Sequence, residues 1–123
     1  MIVVDAMNVR GCVPDGWWRD KDGALRRRIK AVAGHDFGGE WVVIVADGRP
    51  VEGAPAGTHG DVELRYAGHT ANNVADDLIV EIVNADDDVG AITVVTSDRG
   101  LIARLPDGTH IEGAKSFRDR VEW

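Results

Sequence analysis

The chain has one cysteine, Cys12, so it cannot close a disulfide on itself, and a reducing compartment suits it best. No stretch approaches the ~18 consecutive apolar residues of a membrane span, so no membrane partner is expected. The opening run Met1-Ile2-Val3-Val4-Asp5 meets an acid at once and has neither a basic nor a long apolar region. It does not read as a secretory leader, and a cytoplasmic location is the expectation. Positive charge is scarce: 14 Lys and Arg face 21 Asp and Glu, a formal charge of −7. That balance argues against a protein that grips nucleic acid mainly through a basic face. It leaves room for an enzyme that handles nucleic acid briefly, because the carboxylates of a metal cluster count toward the −7 until an ion is bound. Cys12, His35, His59, His69 and His110 stand at no zinc-ligand spacing. No Gly-x-x-x-x-Gly-Lys-Ser/Thr loop, no Gly-x-Ser-x-Gly elbow and no internal repeat occurs.

What is present is enough for one domain: 123 residues, 44% of them apolar. Short β-branched runs at Met1–Val4, Trp41–Ala46 and Ala91–Val95 read as strands buried on both faces. Val62–Tyr66 alternates, with Val62, Leu64 and Tyr66 against Glu63 and Arg65, which predicts a half-exposed strand at one edge. Thr109–Glu112 is a weaker fifth strand. Helical spacing marks Gly23–Ala33, Asn73–Asn84, Arg99–Leu105 and Lys115–Val121. Strands alternating with helices predict a three-layer α/β/α domain over residues 1–123, its sheet mostly parallel and its first strand central. The segments Gly11–Asp22, Gly34–Glu40 and Gly48–Asp61 read as loops.

The acids fall in a pattern. Asp5 ends the first strand, Asp47 the second, and Asp98 follows the fourth in Thr96-Ser97-Asp98. Asp76 lies in the first turn of the helix that follows the loop carrying His69. In a parallel sheet all strand C-termini lie on one rim, and the helices that return begin there too, so these four acids converge where open α/β sheets bind ligands. At 100° per residue, Asp76 lies roughly 110° from the centre of its helix's apolar stripe and Asp77 roughly 150° away on the other side. Asp76 is therefore the one expected to face the site and Asp77 the one expected in solvent. Such a carboxylate set asks for a hard cation, Mg2+ or Mn2+. Each acid also has an ordinary use: Asp98 as a helix N-cap, Asp76 as a partner of the helix dipole, Asp5 and Asp47 as turn residues.

Four segments carry a family likeness. Val4-Asp5-Ala6-Met7-Asn8-Val9, Val43-Ile44-Val45-Ala46-Asp47-Gly48, Ala75-Asp76-Asp77-Leu78-Ile79 and Val95-Thr96-Ser97-Asp98 resemble, in order and spacing, the motifs of the NYN domain family of PIN-like nucleases. The chain most resembles the YacP-like branch, over nearly its whole length. The resemblance implies a PIN-like Rossmannoid three-layer α/β/α sandwich and Mg2+- or Mn2+-dependent cleavage of RNA. It implies Asp5, Asp76 and Asp98 as metal ligands, Asp47 as a further acid acting directly or through water, Asn8 orienting a ligand or the scissile phosphate, and Ser97 or Thr96 in support. Two departures stand out. Toxin-type PIN domains place an acid in an early helix, whereas Gly23–Ala33 has none, and the Pro14–Asp20 segment lies outside the general pattern.

The expected chemistry is phosphodiester hydrolysis by a metal-activated water, without a covalent nucleophile. Arg10, Arg49 and Arg99 follow strand ends and are candidates for flanking phosphates, with surface ion pairs as their ordinary use. Trp17 and Trp18 with Arg19 are candidates for base stacking and a phosphate contact, with anchoring of the loop as the alternative. His69 offers a proton shuttle or a solvated loop side chain. Arg26-Arg27-Arg28-Ile29-Lys30 offers a nucleic-acid track or simply a solvated helix face. The partner expected is RNA, single-stranded or structured, with a second copy of the chain and the ribosome or decay machinery as further partners to test. The rival functions are a non-catalytic RNA-binding module in translation or RNA decay and, ranked below it, a receiver-like domain. The receiver reading lacks a well-placed lysine, Lys115 being only loosely positioned, and gives Asn8 no role.

Overall fold

A computed structural model describes residues 1–68 and 74–121. β1 (Ile2–Asp5) runs straight into a short helix, α1 (Ala6–Gly11), then a 3-10 turn at Trp17–Arg19 and α2 (Lys21–Ala33). β2 (Val42–Ala46), β3 (Gly57–His59) and β4 (Val62–Tyr66) precede α3 (Val74–Asn84). β5 (Thr93–Val95), α4 (Arg99–Arg104), β6 (His110–Glu112) and α5 (Ala114–Val121) complete the order. The sheet has six strands in the order β3-β4-β2-β1-β5-β6, all parallel except β3.

The period of two along each strand builds the two outer layers. Ile2, Val4, Val42, Ile44, Val62 and Leu64 face a core closed by α1, α2 and α5 through Val9, Leu25, Ile29, Val32, Phe117 and Val121. Val3, Val43, Val45 and Val94 face the opposite core, closed by α3 and α4 through Ala75, Ile79, Val83 and Leu101. The three-layer α/β/α arrangement and the interior first strand are therefore as the strand–helix alternation requires. From β1 the chain moves outward through β2 to β4 and then returns to the other side of β1 at β5, so strand order reverses between β1 and β5.

Three expectations need correction. Val62–Tyr66 is not the edge strand, because Gly57–His59 pairs with it antiparallel, His59 opposite Val62 and Gly57 opposite Leu64. That strand lies inside the segment read as the loop Gly48–Asp61, and its Gly-Thr-His sequence carries no apolar periodicity to betray it. Glu63 and Arg65 are half-buried on the α3 side of the sheet, where β4 contributes no residue to the apolar core. Second, α1 begins immediately after Asp5, where the sequence predicts no helix; its six residues are too few for a stripe, and the Asp5 side chain starts it by accepting from Asn8 N at 3.3 Å. Third, the segment read as the loop Gly11–Asp22 contains a 3-10 turn at Trp17–Arg19, after Gly16 at φ 84°, and the first residues of α2. The expected helix start at Asn73 lies outside the described residues.

The loop before α2 is tied down by charge. The Asp15 carboxylate accepts from Arg28 of α2 and, at 2.8 Å, from Arg118 of α5. Arg28 is only 7% exposed, so its charge lies in poor solvent beside that carboxylate. Both arginines hold the Asp15 carboxyl below the usual carboxylate range. Replacing Asp15 by Ala is expected to lower unfolding free energy by about 1–3 kcal/mol, the loss of hydrogen bonds to charged groups. A carboxyl depressed in the folded state stabilises fully above its unfolded value and ceases to as pH falls. The wild-type advantage in urea denaturation should therefore be full at pH 7 and fade below pH about 4.

Candidate metal centre

The rim at the reversal point is where the acids collect. Asp5 continues the Val3 side of β1 and so points to the α3 layer; Asp47, two residues beyond Val45, lies on that same side past the end of β2. Asp76 enters from the first turn of α3, and Asp98 from the residue that begins α4. With Met7, Asn8, Val74 and Ala75 these four line one cleft of about 290 Å³. Asp77 does not line it: its side chain is 66% exposed and bonds outward to Arg104 Nη2 at 2.6 Å.

Hydrogen bonds fix the site from below. Asp5 is 3% exposed, and its Oδ2 accepts from the Thr96 hydroxyl at 3.0 Å while its Oδ1 accepts from Asn8 N. Thr96 Oγ1 in turn accepts from Asp98 N at 3.1 Å. Asp98 Oδ1 caps α4 by accepting from Gly100 N at 2.8 Å and Leu101 N at 3.2 Å. Asn8 Oδ1 accepts from Ser97 N at 2.7 Å, and Ser97 Oγ accepts from Ala114 N at 2.9 Å. Thr96, which the sequence offers only as an alternative to Ser97, is thus the fully buried hub, and Ser97 supports the site through its backbone and the start of α5. A signal for Thr96 does exist in the chain: a threonine directly after a buried strand, two residues before an N-cap acid.

Burial raises the Asp5 carboxyl to about 6; the Thr96 and Asn8 bonds pull it down, and the charges of Asp76 and Asp98 push it further up. Asp76 is raised as well, by burial first and by Asp98 and Asp77 next, with Arg104 opposing. Among the described residues no three acid, histidine or cysteine side chains stand around one point closely enough to ligate an ion as they are. The structure brings Asp5, Asp47, Asp76 and Asp98 to one cleft but leaves Asp5 and Asp98 turned toward local donors. The donors available to a ligand are oxygens, with no thiolate or imidazole lining the cleft among the described residues, which fits Mg2+ or Mn2+ in kind.

The other candidates are placed as follows. Arg10 stacks on the Trp17 ring at 4.8 Å, its Nε buried without a partner among the described residues, and feels the charges of Asp47 and Asp22. It therefore stands at the side of the cleft, held by Trp17. Trp18 packs edge-on against Trp17, with ring centroids 5.9 Å apart, and remains 49% exposed. Arg19, Arg49 and Arg99 are exposed and, among the described residues, make no ion pair. His69 lies outside the described residues.

No protein-family model matches the chain, and no curated protein matches it in sequence. Solved structures that share its fold include two of one protein. A crystal structure of Rae1 (YacP) from Bacillus subtilis superposes with a TM-score of 0.74 over 99% of this chain and 73% of that one, at 23% identity. A mutant of the same protein gives a TM-score of 0.69 over 98% of this chain and 74% of that one, again at 23% identity.

The raised Asp5 carboxyl has a measurable consequence. A carboxyl whose folded value lies above its unfolded one favours folding fully below the unfolded value, and that contribution is lost as pH rises through the folded value. In EDTA the protein should therefore lose stability between pH about 4 and pH about 7 on account of Asp5, by on the order of 3 kcal/mol. Asp5→Asn removes the ionisation. Its melting temperature in EDTA should equal or exceed wild type at pH 8, with the gap closing toward pH 4; a variant less stable at pH 8 than at pH 4 relative to wild type would contradict the assignment.

Proposed function

We propose that this protein is a metal-dependent ribonuclease that hydrolyses RNA phosphodiester bonds in the cleft at the β1–β5 reversal. The observation that carries the reading is the convergence of four carboxylates from four separate elements on one cleft at the position where open α/β sheets bind ligands. The fold in common with Rae1 (YacP) supports it, because the four motifs resemble those of the YacP-like branch and sit at the rim of such a fold. That resemblance supplies RNA as the substrate class.

Asp5, Asp76 and Asp98 hold the cation, and Asp47 adds charge directly or through water. A bound divalent ion supplies a water of lowered pKa and charge neutralisation at the leaving oxygen. Asn8 spends its carbonyl on Ser97 N, and its two amide N–H donors have no partner among the described residues, so they are available to a phosphate oxygen. Arg10, fixed over Trp17, offers a second donor at the side of the cleft. Trp18 presents an aromatic face for a base, and Arg19 next to it takes the adjoining phosphate.

A second reading, an RNA-binding module without cleavage, is favoured by one observation: the acids among the described residues are not gathered around a common ligating point. Cleavage of mixed RNA and DNA oligonucleotides in Mn2+, Mg2+ and EDTA separates the two. Hydrolysis of RNA in Mn2+ or Mg2+, lost in EDTA, is expected. Asp98→Asn keeps a good helix cap while removing a ligand charge, and with Asp5→Asn it should reduce cleavage at least about a hundredfold while the fold persists, on the order of what one group in a catalytic site supplies. Binding retained in EDTA with no cleavage in either metal would select the binding module instead.

The tryptophans divide the same way. Trp18→Ala should weaken RNA binding by about tenfold, the worth of one stacked base at ~1–3 kcal/mol, with little change in melting temperature. Trp17→Ala should lower the melting temperature, since it removes the face on which Arg10 rests. If both substitutions cost only stability, the loop is structural and the groove lies elsewhere.

A further inference from the structure

The second large concavity shares no lining residue with the acid cleft and is lined by more cations than acids, Asp20 being its one carboxylate. It is about 500 Å³ and runs along the outer face of α2. One wall is a single helical stripe, Gly23, Arg26, Arg27, Lys30 and Ala33, spaced three or four residues apart along the helix. The opposite wall is the loop after β2, at Gly53 and Ala54, and His59 of β3. Gly53 is needed there: it sits at φ 82°, and a Cβ on it would come within 3.2 Å of Arg26 Cδ. Arg26 Nη1 donates to the Glu52 carbonyl at 3.1 Å, which pins the two walls together.

The charge is concentrated. Five of the chain's 14 basic residues and only one of its 21 acids lie in the thirteen residues of α2. Among the described residues none of Arg26, Arg27 and Lys30 pairs with a carboxylate, although the chain is −7 and acids are plentiful. By contrast Arg28, on the inward side of the same helix, pairs with Asp15. His59 is held by donating from Nε2 to the Pro55 carbonyl at 2.8 Å. The groove thus sets cations without a carboxylate partner among the described residues along one wall, with Asp20 and the apolar Ile29 also lining it.

Its direction links it to the acid cleft. A helix that connects two parallel strands runs antiparallel to them, so α2 begins at the rim where the strands end. α1, which carries Asn8 of the cleft, packs against α2, and both helices begin at that rim, so the head of the groove at Gly23 lies toward the cleft. We propose that this groove is a phosphate-backbone track, holding the single-stranded RNA that flanks the segment in the acid cleft, with Arg26, Arg27 and Lys30 contacting successive phosphates. The inference rests on RNA as the substrate class proposed above. It also resolves how so acidic a protein holds a polyanion: the acids repel it except where a cation intervenes, and the strip of cations fixes the line along which it can approach.

The test uses the intact protein with Arg27→Glu and Lys30→Glu combined, and the corresponding double Ala variant. Both side chains are exposed, so the fold should persist, which circular dichroism checks. Binding of labelled oligouridylates of about 4 and about 15 nucleotides, the span of single-strand sites, is measured in EDTA over a series of salt concentrations. The long oligonucleotide should bind the Glu variant at least about tenfold more weakly. For the Ala variant the slope of log affinity against log salt should fall by about 1.4, at about 0.7 for each of two phosphates no longer neutralised. The short oligonucleotide should bind as to wild type. Unchanged affinity and slope for the long oligonucleotide, or equal losses for long and short, would overturn the track. So would poly-L-glutamate competing as well as RNA at equal charge, since the occupant would then be an acidic polypeptide. Cleavage is scored separately in Mn2+. Wild-type protein that fails to cleave, with groove variants that still lose long-oligonucleotide affinity, defeats the ribonuclease reading and supports the track. Cleaving protein with groove variants that bind normally does the reverse.

Discussion

Three helices begin at one knot of hydrogen bonds, and the knot is centred on a buried carboxylate. Asp5 accepts from Asn8 N, which starts α1, and from the Thr96 hydroxyl across the β1–β5 boundary. Thr96 accepts from Asp98 N, where α4 begins, and Ser97 accepts from Ala114 N, where α5 begins. The Asn8 carbonyl closes the ring onto Ser97 N. Strand order reverses at this spot, so the gap between β1 and β5 would otherwise expose helix N-termini with unsatisfied N–H groups. Side chains whose oxygens can accept from those groups are the natural filling, which is why Asp, Asn, Thr and Ser gather there.

The same knot makes the cleft electrostatically costly. Asp5 is buried with Asp76 and Asp98 close by, and burial more than repulsion pushes its carboxyl up. Arg104 partly offsets the charge at Asp76, and Arg10 lies within electrostatic range of Asp47, but neither is among the residues that line the cleft. Elsewhere the molecule balances charge locally, as with Arg28 and Arg118 on Asp15 and Arg120 on Glu112. Uncompensated negative charge thus gathers at the rim and uncompensated positive charge along the groove of α2. On the proposed function, this separation would give a polyanion one place to be held and another to be reacted on.

The parts of this architecture that bury apolar surface were legible in the sequence. β1, β2, β4 and β5 announce themselves through β-branched runs, and α3 through Ala75, Leu78, Ile79, Ile82 and Val83 at helical spacing. What hydrogen bonds alone decide was not legible. β3 is three residues, Gly57-Thr58-His59, held by pairing with Val62–Leu64 and burying almost nothing, so no periodicity marks it. α1 is six residues long and is defined by its cap rather than by a stripe. At the candidate site, position along the strands assigned Asp5, Asp47 and Asp98 to one rim. The angle around α3 distinguished Asp76, which lines the cleft, from Asp77, which does not. The local pattern marks Thr96 as a threonine between a buried strand and a helix cap, but its bond to Asp5 spans 91 positions of sequence. The basic groove was half legible: the Arg26–Lys30 run is plain, but the opposing wall comes from a loop and a strand that the sequence concealed.

A knot that ties three helices and the cation site proposed above place competing demands on Asp5, and stereochemistry decides whether both can be met. An ionised carboxylate offers about four lone-pair sites over two oxygens. The bonds from Asn8 N and Thr96 occupy one on each oxygen, so both oxygens retain a lone pair. Asp98 spends one oxygen, Oδ1, on two backbone donors of α4 and leaves Oδ2 without a hydrogen bond among the described residues. Asp76 and Asp47 accept none there. The proposed ligation would therefore require no break in the knot: Asp5 and Asp98 would use the lone pairs that their hydrogen bonds leave open, and Asp76 and Asp47 would turn toward them. The hydrogen-bonded base beneath them would supply the fixed point against which the proposed site closes.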